Sequence, residues 1–186
     1  MRYCQTLLAM CALGVLNASL WAGDIPKAGV RLKLEHGAWT DIEHEREGAG
    51  IWSGHAKWKE TEGERQKIVA CGFRVNGSDW QAITLKATPS ESGVARLVIT
   101  GDEPAGGGAP FVVLYDDIAV EGADLENGEF ETMEGWRGEA EHALGEGLAR
   151  TGEGCARVLG KAFSETRMNV EAGQRITVTV WVRLGE

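Results

Sequence analysis

Short runs in which apolar and polar residues alternate are the feature that most constrains this fold. The same period of two occurs in VRLKLE at residues 30–35, in WQAITLKAT at 80–88 and in RITVTVWVRL at 175–184. Alternation over so few residues is typical of a half-buried β-strand. In the last run, one face is wholly apolar and consists of Ile176, Val178, Val180, Val182 and Leu184. Because turn signals separate many such runs and none has a helical period, the sequence predicts an all-β antiparallel β-sandwich.

The first 22 residues have a different character. Arg2 precedes an apolar run from Leu7 to Leu16, and small residues then lead to Ala22. This is the pattern of a secretory signal peptide, so we expect residues 1–22 to be removed on export. The mature chain would then be secreted, periplasmic or at the cell surface. The apolar run is short for a bilayer span, so no membrane insertion is expected after leader removal.

The charge balance narrows the classes of partner. The 186 residues include 28 acidic and only 19 basic side chains, which gives a formal net charge of −9. An acidic chain repels phosphate backbones, so a nucleic acid is excluded as the expected partner. Neutral sugars and cations are compatible with this charge, whereas the oligomeric state is not indicated by the sequence.

The segment from Tyr115 to Glu131, YDDIAVEGADLENGEFE, reads as the last strand of one sandwich followed by the first strand of another. We therefore predict a β-sandwich domain at 27–122 and a second domain at 123–186. A loose tandem repeat supports this division, because Trp39 and Trp136 stand at similar distances before a Ser-Gly or Thr-Gly pair. The second unit ends soon after its clearest strand, which predicts a truncated sandwich with an open edge. On this interpretation the chain is a fragment of a longer protein.

Three motifs carry a resemblance to a known group of domains. They are Asn127-Gly128-Glu129-Phe130-Glu131 followed by Trp136, Asp116-Asp117-Ile118, and VEAGQRITVTVWVR at 170–183. Together they resemble the galactose-binding-like jelly rolls, which include the carbohydrate-binding modules of families 4, 9, 16 and 22. The resemblance implies a jelly-roll fold and a polysaccharide or other glycan as ligand. The first unit departs from the pattern, because it lacks the Asn-Gly-acid-Phe-Glu opening.

The same resemblance implies a structural Ca²⁺ that joins the closing strand to the opening strand, with Asp116, Asp117 and Glu131 as its ligands. A physical argument points in the same direction. Strict alternation would place Asp116 on the core face with Leu114 and Ile118, where a carboxylate must be paired, hydrogen-bonded or bound to a metal. Calcium prefers such oxygen ligands. The alternative is that Asp116 caps a turn or pairs with an arginine.

Sugar binding requires aromatic platforms, and three tryptophans are candidates: Trp52, Trp58 and Trp181. Trp52 and Trp58 are six residues apart in one predicted strand, so alternation places them on one face. A tryptophan pair on a sheet also fits a packed core, and this alternative stays open. Trp181 lies on the polar face of its predicted strand, so it is either a platform or a residue covered by the missing part of the truncated second domain.

The two cysteines outside the leader are Cys71 and Cys155, one in each predicted domain. An exported protein can join two such residues in a disulfide. The alternative is that each is a small buried apolar residue. For Cys71 this second interpretation is favoured by alternation with Val69, Phe73 and Val75.

No residue set has the pattern of a catalytic site. The histidines lack zinc-site spacing, the alternating Glu43, Glu45 and Glu47 read as a solvated edge, and Gly106–Gly108 is no P-loop. We therefore expect a non-catalytic, exported carbohydrate-binding-type module that forms the N-terminal part of a larger secreted or surface protein. The alternatives are a structural or adhesive spacer, and an accessory domain of a glycoside hydrolase or polysaccharide lyase whose catalytic part is absent here.

Overall fold

The computed structural model describes residues 26–46, 52–61, 64–75, 77–104 and 107–186; within them, the side chains of 44–46, 52–61, 64–68 and 70–72 are not described. The predicted signal peptide lies outside these residues. The described chain consists of twelve strands: β1 Lys27–Leu34, β2 Trp39–Arg46, β3 Trp52–Thr61, β4 Glu64–Arg74, β5 Gln81–Pro89, β6 Gly93–Thr100, β7 Val112–Glu121, β8 Arg137–Gly138, β9 Glu141–Leu144, β10 Gly154–Leu159, β11 Phe163–Val170 and β12 Ile176–Leu184.

The strands form two six-stranded sheets that pack face to face. Sheet I has the order β3-β4-β1-β6-β11-β8, and sheet II has the order β2-β5-β12-β7-β10-β9. Every neighbouring pair is antiparallel. The predicted all-β antiparallel sandwich is therefore confirmed, whereas the jelly-roll connectivity stays a prediction.

The predicted division at residue 122 is corrected by the strand order. Strand β11 pairs with β6 in sheet I, and β12 lies between β5 and β7 in sheet II. The ranges 27–122 and 123–186 thus contribute to both sheets of one sandwich and do not form two separate sandwiches. The expected open edge at β12 is also absent, because this strand is hydrogen-bonded on both sides. Its apolar face is covered by the opposite sheet, which is why Val178 and Val182 are fully buried.

One core lies between the sheets, and strands from both ranges build it. The inward positions of β1 and β12 alternate as predicted, and Val30, Leu32 and Val180 are buried in the same cluster as Val158 and Met168 of the later strands. Burial of this apolar surface is the main stabilising contribution to such a fold.

A buried tyrosine joins the two sheets across the core. The Tyr115 hydroxyl in β7 of sheet II donates to the carbonyl of Thr100 in β6, and it accepts a hydrogen bond from the amide of Gly29 in β1. Both partners belong to sheet I, so one side chain links three strands through groups that burial would otherwise leave unpaired.

Three local features of the structure differ from what the sequence pattern indicates. The segment 125–131 forms turns and not a strand, because Asn127 and Phe130 both have a φ of +52°. The short stretch Glu141–Leu144, which has no strand pattern in the sequence, forms strand β9. Strand β11 was not predicted; its inward face includes Ser164 and Thr166, which weaken the apolar alternation. No helix in the described residues is long and apolar enough to cross a membrane.

Candidate functional site

The segment 145–153, GEGLARTGE, crosses the solvent side of sheet II between β9 and β10, and we call it the strap. Glycines at positive φ let the chain turn here, with φ of +74° at Gly147 and +62° at Gly152. At its first half, the Arg183 guanidinium of β12 donates to the carbonyls of Gly147 and Leu148 at 2.8 and 3.0 Å. The strap is therefore bound to the sheet that it covers.

A β-bulge in β7 determines which side chains face the strap. Ala119 pairs with Thr179 of β12, but the next pair is Asp116 with Trp181, so two residues of β7 stand opposite one of β12. Asp117 in the bulge has a φ of +47°. A bulge of this kind inverts the alternation beyond it. The core side chains are Tyr115 before the bulge and Ile118 after it, and Asp116 lies on the other side of the sheet.

This placement corrects the prediction that Asp116 faces the core with Ile118. Asp116 is fully buried, but beneath the strap. Its Oδ2 accepts the amide of Arg150 at 2.6 Å and that of Thr151 at 3.3 Å, and its Oδ1 accepts the amide of Asp117 at 2.8 Å. Burial raises the pKa of Asp116 above its ordinary value, and the three amide hydrogen bonds offset part of that effect.

The neighbouring carboxylate binds the side chains of the same strap residues. Asp117 accepts a hydrogen bond from the Arg150 guanidinium at 2.6 Å and another from the Thr151 hydroxyl at 2.6 Å. The Cζ atom of Arg150 also lies 3.7 Å from the centroid of the Trp181 ring, which is a cation–π contact. Arg150 thus joins the closing motif of β7 to the tryptophan of β12.

The third predicted calcium ligand, Glu131, binds the end of the strap. Its two carboxylate oxygens lie 3.1 and 3.3 Å from the amide nitrogen of Glu153, which donates to them. Asp116, Asp117 and Glu131 therefore bind one segment, and their oxygens are already occupied by amide, hydroxyl and guanidinium donors. In the described part of the chain, no group of three or more His, Cys, Asp and Glu side chains is arranged to hold a metal ion. As arranged, these three residues do not fit a calcium centre.

Two of these carboxylates also line a cavity of about 590 Å³ at the end of β7. Its wall includes Asp117 and Glu131, together with Asp124 and Glu129. The cavity is open and acidic, but its two best-placed carboxylates face donors of the strap. Asp117 and Glu131 therefore hold the strap in place beside this acidic cavity.

The closing and opening motifs contact each other directly. The amide of Ile118 donates to the carbonyl of Gly128 at 2.8 Å, and a Cβ at Gly128 would stand 2.0 Å from the carbonyl oxygen of Ile118. Only glycine permits this approach. Trp136 packs on Phe130 with ring centroids 4.9 Å apart and donates its indole hydrogen to the Asn127 carbonyl. The opening motif is therefore a packed turn beside β7.

The structure separates the three predicted sugar-binding tryptophans. Trp52 and Trp58 are in β3, at the edge of sheet I, where their backbones pair with Phe73 and Lys67; their side chains are outside the described part. Trp181 is in β12, inside sheet II. Its side chain is partly buried on the solvent side, as predicted, and the Arg150 guanidinium lies over its ring.

Cys155 lies on the solvent side of β10, beneath the strap, and is fully buried and free. Cys155 is in β10 of sheet II, whereas Cys71 is in β4 of sheet I, where its backbone pairs with Val30. The interpretation of Cys155 as a small buried residue is thus confirmed, and the side chain of Cys71 is not described. Burial raises the pKa of the Cys155 thiol to about 11; the nearby charge of Asp116 adds to this shift, and Arg183 reduces it.

Arg150, Thr151 and Arg183 were missed by sequence reasoning. Arg150 and Thr151 lie in a polar, glycine-rich stretch, and Arg183 lies on the polar face of the last predicted strand. Their partners are more than 30 residues away in the sequence. The only signal was indirect, because a tryptophan on the polar face of the clearest strand implied that something covers it.

No family model matches the chain, and no curated protein matches it.

Proposed function

We propose that this protein is a non-catalytic, exported carbohydrate-binding-type module whose ligand site lies on the solvent side of sheet II, around Trp181. The observation that carries the proposal is the position of this ring. It lies on the outer side of an internal strand, and its neighbours are side chains able to bind hydroxyl groups. Apolar faces of pyranose rings pack on such rings, and a polar rim orients the hydroxyls.

The polar rim consists of groups from four elements: β5, β7, β12 and the strap. Asp117 of β7 accepts hydrogen bonds from Arg150 and from the hydroxyl of Thr151 in the strap. Along the sheet, the hydroxyls of Thr84 and Thr179 are 3.3 Å apart and share a hydrogen bond. Carboxylate and hydroxyl groups offer both donors and acceptors, which suits a neutral, polyhydroxylated ligand better than an anionic one.

The test is binding to neutral oligosaccharides of glucose, xylose, mannose and galactose by calorimetry. Loss of an aromatic residue at the centre of a site costs about tenfold or more in affinity, so Trp181→Ala should abolish measurable binding. The matched control is Trp80→Ala, because Trp80 also lies under an arginine, with Arg183 Cζ at 5.1 Å from its ring centroid. Equal binding by the parent and Trp181→Ala would refute the site.

Calcium is not part of this proposal, because the oxygens of its three predicted ligands are bound to the strap. It stays a prediction that thermal melting with Ca²⁺ and with a chelator can decide. A bound ion would stabilise the native state by about 2.7 kcal/mol at a hundredfold excess over its dissociation constant. An unchanged melting temperature would reject calcium.

A spacer without a ligand is the second candidate, and one observation favours it. The guanidinium over Trp181 and the strap together cover the surface that a sugar would use. If the whole oligosaccharide panel fails to bind, the strap is a structural element, and the spacer function is the better explanation.

A further inference from the structure

Arg150 is held by three contacts, one through its backbone amide and two through its guanidinium. Its amide donates to buried Asp116 at 2.6 Å, its guanidinium donates to Asp117 at 2.6 Å, and its Cζ lies 3.7 Å from the centre of the Trp181 ring. The first contact fixes the backbone of the strap, and the other two place the side chain. The guanidinium can therefore leave the ring while the backbone of the strap stays bound.

The backbone of the strap is also held by contacts that do not involve the Arg150 guanidinium. The Arg183 guanidinium binds two carbonyls of its first half, and Glu131 binds the amide of Glu153 at its end. By contrast, the Arg150 side chain is 32% exposed, and its ion pair with Asp117 reaches solvent. Only the arginine end of this pair is open to water, because the Asp117 side chain is 16% exposed. An ion pair and a cation–π contact that water can reach are weaker than fully buried ones, so a ligand can displace the guanidinium.

A planar guanidinium on an aromatic ring occupies the surface that a pyranose ring would use. Both ligands pack on the face of the ring, and both need polar partners at its edge. Here the Oδ2 of Asp117 accepts a hydrogen bond from Arg150, and its Oδ1 accepts one from Thr151. The two cannot occupy one face together. A sugar that packs on this face of Trp181 must first displace Arg150.

We propose that Arg150 is an autoinhibitory side chain that closes the Trp181 platform, so that glycan binding requires the guanidinium to swing away while the strap remains in place. This inference rests on the proposed function, because it concerns access to that same site. It predicts that removal of the guanidinium strengthens glycan binding, which is the opposite of the result expected for a residue that contacts the sugar.

The chain offers a matched control for Arg150. Arg157 in β10 is also 32% exposed and forms an ion pair of 2.7 Å with Glu141, against 2.6 Å for Arg150 with Asp117. The two arginines thus have the same charge and exposure and ion pairs of similar length, although Glu141 is 67% exposed and Asp117 only 16%. The difference that matters for the platform is that Arg150 contacts the Trp181 ring. Arg157→Ala therefore reports the effect of losing a surface arginine without opening the platform.

The first measurement needs no sugar. The full chain labelled with 5-fluorotryptophan gives a fluorine resonance for Trp181, which Trp181→Phe identifies by its loss. Arg150→Ala should raise the solvent isotope shift and the quencher sensitivity of this resonance, and Arg157→Ala should leave both unchanged. Arg150→Lys keeps the charge but lacks the planar group, so it should also expose the ring. A Trp181 resonance equally exposed in the parent and Arg150→Ala would overturn the proposal.

The second measurement is affinity for the neutral oligosaccharides used above. We expect Arg150→Ala to bind about three- to tenfold more tightly than the parent, since the weak ion pair and ring contact no longer compete. Binding of Arg150→Ala that is equal to or weaker than that of Arg157→Ala would overturn autoinhibition and leave the glycan site intact. Absence of binding by every variant would reject the glycan function itself, and autoinhibition with it.

Discussion

The solvent faces of the two sheets carry similar side chains in opposite situations. On sheet I, Arg96 binds Glu35 and Glu165 at 3.2 and 3.4 Å, and each of the three side chains is between 26 and 29% exposed. On sheet II, the strap covers Asp116 and Cys155, and both are fully buried. Carboxylates and arginines in water contribute little to stability, but buried polar groups must all be satisfied. We therefore expect single substitutions beneath the strap to lower the free energy of unfolding more than substitutions on the open face of sheet I.

The largest effect is expected at Asp116. Asp116→Ala would leave the amides of Arg150, Thr151 and Asp117 without their acceptor beneath the strap. Loss of one partner of buried hydrogen bonds costs about 1–3 kcal/mol for each group that stays unpaired. Because solvent reaches part of the opened strap, we expect a loss of about 3 kcal/mol in the free energy of unfolding, measured by urea denaturation.

The control for this prediction is Glu165→Ala on the open face of sheet I. Its carboxylate binds one arginine in contact with water, so its loss should cost less than about 1 kcal/mol. Similar losses at Asp116 and Glu165 would contradict the distinction between the covered and the open face.

The second-largest effect is the contribution of the Cys155 thiol to the pH dependence of the free energy of unfolding. Its thiol has a pKa of about 11 in the folded protein, raised from 9.0 mainly by burial. A raised folded pKa contributes stability that is fully present below pH 9 and is lost as the pH rises through about 11. This pKa shift corresponds to roughly 2–3 kcal/mol in the free energy of unfolding.

The measurement compares urea denaturation of the Cys71→Ala chain with that of the same chain carrying Cys155→Ala in addition. The stability difference between the two should narrow as the pH rises from 9 to 11, because only the first retains the buried thiol. A constant difference across this range would show that the thiol ionises as easily under the strap as in the unfolded chain.

The alternation of apolar and polar residues predicted some strands and faces correctly and failed at others. Alternation identified β1, β5 and β12, because their inward residues are almost all apolar, and it placed Trp181 on the outer side. It failed at Asp116, because the bulge at Asp117 inverts the alternation and no local signal revealed a positive φ there. Local patterns predict strands and faces well when no bulge intervenes.

The division into two domains failed for a different reason. The pairing of β11 with β6 and the insertion of β12 between β5 and β7 join strands that are far apart in the sequence. Period and turn signals carry no information on such partners. The strap site was missed on the same grounds, since Arg150 acquires its role only when β7 and β12 are neighbours.

A glycine pair in the strap allows a smaller test of the covered face. Gly147 and Gly152 both have positive φ, but a Cβ at Gly147 meets nothing within 4 Å, whereas one at Gly152 would stand 1.6 Å from an oxygen of Glu131. Alanine at either position pays about 1 kcal/mol for its backbone conformation. Gly152→Ala should also break the bond from Glu131 to the strap and cost about 1 kcal/mol more. Equal losses for both variants would show that Glu131 does not stabilise the strap.

The smallest effect is expected from the ion pairs themselves, and it separates the two faces through their response to salt. Glu165→Gln on sheet I should cost less than about 1 kcal/mol, and the loss should disappear in 1 M NaCl, where the screening length is about 3 Å. Asp117→Asn removes a 2.6 Å ion pair whose carboxylate is only 16% exposed and which also accepts a strap hydroxyl. Salt screens a partly buried pair much less, so most of the Asp117 effect should persist at high salt. If both losses vanish together, the strap gives Asp117 no protection from solvent, and the covered face behaves like the open one.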